Sequence, residues 1–254
     1  MRIERLIEKG EKLSSRAKFL LFVLVVAALT PCIPLIAEDG GDPSKQEAAA
    51  SPVAEVRNAR SWEYGPFVNW GKGVGDRSNF NFLWGGAQLG KPLTPVIHAG
   101  IFSGQFEYGG NFMPLWLAFT PAPHDQTFMY QGVVYDQPIG GGTYVGLSLT
   151  PVIFRWNFLT RSRRIQPWFQ AAGGLVYTTH KFPPDVLVVH GTPGGTSVWN
   201  FSPQGGVGLH YFLRSRRSID LGVNAVHISS ASLGDHNPGV NASIQVQVGY
   251  TFWK

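Results

Sequence analysis

The segment Ala225-Val226-His227-Ile228-Ser229-Ser230 sets a histidine and a serine two residues apart. On a β-strand, residues two apart share a face. A serine beside a histidine can act as nucleophile and general base, the imidazole taking the hydroxyl proton as oxygen attacks an ester carbonyl. The plainer reading of the same two residues is a polar pair in an interfacial belt. The remaining histidines (His98, His124, His180, His190, His210 and His236) have no metal-ligand spacing with Cys, Asp or Glu. The run Gly140-Gly141-Gly142 lacks the lysine of a phosphate-binding loop. Ester hydrolysis by Ser and His needs no cofactor, and none is expected.

The pair must be held by the elements around it, and these alternate with period two. Over 219–229 the odd face carries Ile219, Leu221, Val223 and Ala225, and the even face Asp220, Gly222 and Asn224. Over 199–213 and 240–252 an apolar face again alternates with a small or polar one. A lipid-facing wall around a polar packed interior has this pattern; a soluble β-sandwich gives the same alternation with the faces exchanged. Runs of about 9–11 residues suit membrane strands, whereas sandwich strands are usually shorter. The expectation is an all-β fold, an eight-stranded antiparallel transmembrane β-barrel. Its strands fall near 62–71, 80–91, 104–119, 143–159, 165–178, 198–213, 218–231 and 239–253.

The connections at 160–164 and 214–217 are short and carry the same tetrad, Arg161-Ser162-Arg163-Arg164 and Arg214-Ser215-Arg216-Arg217. They read as solvated turns or as contacts to anionic headgroups. Those around 121–142 and 182–197 are long and fall at the other end, as in outer-membrane barrels; the connection 94–103 is long for its end. Inside, Gln105, Glu107 and Asn111 read as hydrogen-bonding groups, and Glu63 and Asp220 as partners for Arg155. Eight strands leave room for side chains rather than a channel.

Charged residues make up only 15% of the 254-residue chain and aromatics 13%, where soluble domains carry about 25% charge. Six basic and three acidic residues precede Glu38, so the remainder carries a net charge of +2. That excludes the strongly basic balance of nucleic-acid binders. A basic stretch, the apolar run 19–29, Pro31 and a small residue at Ala37 read as a signal peptide over 1–37, containing the only cysteine, Cys32. Residues 38–60 read as a flexible linker, and 61–254 as the barrel.

The segment from His227 to Asn241 resembles the signature of the PagL family, outer-membrane lipid A 3-O-deacylases. In that family a strand carrying His-x-Ser-Asn-Ala is followed by a short loop ending near an Asn, then by Gly-x-Glu. The matching residues are His227, Ser229, Ala231, Leu233, Asn237 and Gly239. The resemblance implies a serine esterase that removes an ester-linked acyl chain from lipid A in the outer leaflet, in the bacterial outer membrane. Ser229 would be the nucleophile, His227 the base and Asn237 a donor to the oxyanion. Lipid A (lipopolysaccharide) and the membrane are the expected partners, with a second copy of the chain as a further candidate.

Asn241 stands where the family has its acid, and Ser230 where it has Asn. An Asn can orient a His, which makes Asn241 the candidate third member. Alternation, however, turns Asn241 inward with Ser243 and Gln245. Either a bulge near Gly239 re-aims it or another group serves, Asp235 being the other acid within reach. The alternative function is a non-catalytic structural barrel of the same ancestry.

Overall fold

The computed structural model describes residues 51–122, 124–130, 132–139, 141–183, 197–231 and 241–254. The expected signal peptide and residues 38–50 lie outside them. Helix α1 (Pro52–Ala59) leads into β1 (Glu63–Gly73), β2 (Asn81–Pro92), β3 (Gly104–Phe119), β4 (His124–Tyr130), β5 (Val133–Ile139) and β6 (Thr143–Phe158). Then come β7 (Ile165–Phe182), β8 (Ser197–Phe201), β9 (Gln204–Arg214), β10 (Arg217–His227) and β11 (Ala242–Trp253). The sheet runs β6-β3-β2-β1-β11-β10-β9-β7 and closes where β6 pairs with β7. Every pairing is antiparallel. This is the expected eight-stranded barrel. Strand β8 prolongs the line of β9 beyond Ser202-Pro203, where proline has no N–H to give to a ladder.

The expected alternation decides which side chains meet lipid. Leu221, Val223, Ile244, Val246 and Val248 point outward and are exposed, as a wall bathed in hydrocarbon requires. The start of β1, the end of β11 and the short turns 160–164 and 214–217 lie at one end, the periplasmic one in outer-membrane barrels. The connection 120–142 holds β4 and β5, a separate two-stranded hairpin.

The interior is polar as the sequence suggested, and its buried carboxylates cluster in the periplasmic half. There Arg155 reaches Glu63 at 2.5 Å and Glu107 at 3.1 Å, donates to Gln170, and lies over the Trp168 ring. Asp220 does not take the expected partnership with Arg155. It accepts from His210 at 2.7 Å, Ser218 at 2.8 Å, Gln88 at 3.1 Å and Thr251. Glu107 takes the place at Arg155 because β3 and β6 are paired, setting Glu107 opposite Arg155. The other half adds an aromatic cluster to buried polar side chains such as Asn200, Ser243 and Gln245. Trp84 and Trp116 stack at 5.8 Å, and Phe182 meets Trp116 edge-on at 5.2 Å and Tyr144 at 5.1 Å. Each such pair adds about 0.5–1.5 kcal/mol beyond area burial.

Helix α1 falls within the stretch expected to be a flexible linker. Ser51 caps it, and Arg60 ends it in the left-handed region (φ 47°). Val53 and Val56, one turn apart, are buried with Phe212 and Trp253. Both arginine tetrads help to dock it. Ser51 Oγ donates to the Arg163 carbonyl at 3.1 Å. Ser215 Oγ and Arg216 Nε donate to Glu55 at 2.6 and 3.2 Å.

Replacing Arg155 by Met leaves Glu63 and Glu107 buried without their counter-ion. We expect a loss of about 3–5 kcal/mol, read from urea unfolding in lipid vesicles. The hydrogen bonds from Ser215 and Arg216 hold the Glu55 carboxyl below the usual carboxylate range. The folded pKa is depressed, so this contribution to α1 docking is present above the ordinary value of about 4.3 and is lost as pH falls through and below it. Amide protection factors of α1 should drop over that interval, and Glu55→Gln should abolish the pH dependence.

Candidate functional site

His227 ends β10 and Ser229 lies two residues on, at the end of the barrel opposite the start of β1. His227 pairs with Ala242 on β11, and its N–H donates to the Pro203 carbonyl at 3.0 Å. One step on, Ser229 forms a bridge with Phe201, its N–H donating at 2.9 Å and its carbonyl accepting at 2.7 Å. These bonds keep the strand extended past His227, so the alternation persists. Val226, Ile228 and Ser230 are buried inside, whereas His227 and Ser229 sit half-buried on the outer wall. The expected shared face is present.

The local turn orients the serine. Ala231 takes a left-handed conformation (φ 45°) and donates its N–H to Ser229 Oγ at 3.2 Å. Beside the pair the outer wall is aromatic: Phe201 neighbours Ser229, and Trp199 packs on Tyr177 at 4.9 Å. Aromatic side chains at this height suit the boundary between hydrocarbon and headgroups. Sequence reading took Trp199 and Phe201 only as a strand face. The placement of Phe201 beside Ser229 depends on a pairing across strands that alternation does not encode.

Asn241 is not brought to the pair. It is 2% exposed and faces inward, as do Ser243 and Gln245. Its carbonyl accepts from the Ile228 N–H at 2.9 Å, which continues the β10–β11 ladder without a register shift. The strand wall therefore separates the Asn241 amide from the outward imidazole. Neither side-chain polar atom of Asn241 has a partner among the described residues, nor does Ser230 Oγ. Asn237, Asp235 and Gly239 lie outside the described residues. Among the described residues no group of three or more His, Cys, Asp or Glu is placed to hold a metal ion.

Residues 102–251, more than half of the chain, match the sequence model of the family described as lipid A 3-O-deacylase (PagL). The chain belongs to the PagL family. Among solved structures, that of the outer membrane enzyme PagL is similar at 16% identity and a TM-score of 0.45, over 74% of this chain and 98% of that one. Neisserial surface protein A gives 12% and 0.42, over 75% and 96%. The outer membrane protein OprG from Pseudomonas aeruginosa gives 11% and 0.38, over 76% and 95%. No curated protein matches. Membership of the PagL family and the lipid-facing barrel place this protein in the bacterial outer membrane.

With its side chain inside the barrel, Asn241 can act on the pair only through the backbone. Asn241→Ala should therefore keep ester hydrolysis within about threefold of wild type. Loss of a group that orients the imidazole costs about 10⁴-fold, so steady-state kinetics on the folded variant separates the two roles.

Proposed function

We propose that this barrel is a serine esterase that hydrolyses an ester-linked acyl chain of lipid A in the outer leaflet. The observation that carries this reading is the outward placement of His227 and Ser229 together, on a lipid-facing wall, at the end away from the periplasm. A polar pair on such a face is costly unless it has a partner or a task.

In the proposed reaction, Ser229 Oγ attacks the ester carbonyl while His227 takes its proton. The tetrahedral intermediate collapses, His227 returns the proton to the departing sugar oxygen, and the acyl group remains on Ser229. Water, deprotonated by His227, then releases the fatty acid and restores the serine. Asn237 is the donor that the family resemblance assigns to the oxyanion; such a contact is worth about 3 kcal/mol. Asn241 serves as a positioning residue through its carbonyl, which fixes the end of β10. The acyl chains stay in the membrane throughout, and only the ester has to reach the serine. The inward Asn241 favours the second reading, a non-catalytic structural barrel, because no acid among the described residues supports the imidazole.

Mass spectrometry of lipid A from cells expressing the chain tests the reading. Wild type should remove the mass of one hydroxyacyl group, whereas Ser229→Ala and His227→Ala should leave lipid A intact, with turnover down at least about 10³-fold. Unchanged lipid A with folded, inserted wild type would select the structural barrel.

A further inference from the structure

A groove of about 510 Å³ runs along the outer wall over β2, β3 and β6. By strand order β3 stands across the barrel from β10, so the groove lies apart from His227 and Ser229. Its lining includes the small residues Ala87 and Gly110, with Leu89, Phe112 and Leu149 beside them. Register bulges in β2, β3 and β6 interrupt the wall here. Toward the periplasmic rim the lining passes to Trp62, Lys91 and Leu93, and the Lys91 ammonium sits over the Trp62 ring at 4.8 Å.

A second cavity, of about 410 Å³, opens at that rim and is lined by Arg57, Asn58, Arg60, Pro95, Val96 and Gln105. Only Ser61 and Thr94 separate these residues from Trp62 and Leu93 of the groove. Gln105 is 2% exposed, and its Oε1 has no partner among the described residues; neither has Arg57 Nε. No carboxylate among the described residues forms an ion pair with Lys91, Arg57 or Arg60. The periplasmic rim thus sets three cations without an ion pair among the described residues near the mouth of an apolar groove in the membrane wall, whereas Gln105 shares the inward face with Glu107.

We propose that the groove holds an acyl chain, and the cations of the rim the headgroup, of one net negative glycerophospholipid of the periplasmic leaflet, of the phosphatidylglycerol type. An acyl chain lies along Leu89, Gly110 and Phe112. The phosphate faces Lys91, Arg57 and Arg60. Position selects the source, because the mouth opens at the periplasmic end, away from the leaflet that the reactive pair faces. Charge selects the headgroup, since three cations without an acid favour an anion over a zwitterion.

Native mass spectrometry of the inserted full chain in detergent tests this with phosphatidylglycerol, phosphatidylethanolamine and purified lipid A as separate probes. One phosphatidylglycerol per barrel should be retained in preference to the other two. Lys91→Ala and Arg60→Gln should each reduce that retention about fivefold. Ala87→Trp, which fills the groove floor, should do the same in a barrel whose folding is verified by heat-dependent gel mobility. Because Arg60 is an exposed helix cap, its variant keeps the test decisive should Ala87→Trp fail to fold. Hydrolysis by Lys91→Ala should equal that of wild type, so the outcome is independent of the esterase reading. Equal retention of the two phospholipids, a preference for lipid A, unchanged retention in the folded variants, or a dimer that displaces lipid would overturn the proposal.

Discussion

Hydrocarbon offers no hydrogen bonds, so every backbone N–H and C=O in the spanning wall must find its partner in a neighbouring strand. Closure of β6 onto β7 meets that demand and removes the free edge. It also forces a strict sorting of side chains, one to lipid and the next to the interior. Once β10 is in register with β11, the positions of His227, Ser229 and Asn241 are no longer independent. The ladder that sends the first two outward sends the third inward.

The same sorting creates an electrostatic problem that the interior solves locally. Charges turned away from lipid lose water as well, and such desolvation costs several kcal/mol per ion unless it is offset. Arg155 offsets it with two carboxylates, an amide and an indole face. Asp220 does so with an imidazole, two hydroxyls and an amide. At the other end tryptophan and phenylalanine share the space with amides and hydroxyls such as Asn200, Ser243 and Gln245. α1 then covers the periplasmic end, anchored by two valines and by the turns that the sequence marked as solvated or as headgroup contacts.

Most of the barrel was legible because period two survives in each spanning strand. The short hairpin of β4 and β5 was not, since seven residues cannot span and read as a loop. α1 was hidden by composition; its case rests on Val53 and Val56 in an otherwise polar stretch. The partners of Asp220 were illegible for another reason, as contacts across a closed interior depend on strands far apart in sequence. For the site, the shared face of His227 and Ser229 and the inward turn of Asn241 followed from parity alone. Phe201 beside Ser229 did not, because it needs the register of β8.

An esterase site of the proposed kind, set in the outer wall, has a kinetic consequence. Such a catalyst samples its surroundings by lateral diffusion in a plane, so molarity is the wrong measure of substrate supply. The governing quantity is the mole fraction of ester-bearing lipid in one leaflet. Tight packing or divalent-ion cross-linking of that leaflet would slow encounter with no change in the protein. Loosening it would raise turnover in the same way, making the state of the membrane a regulator of the site.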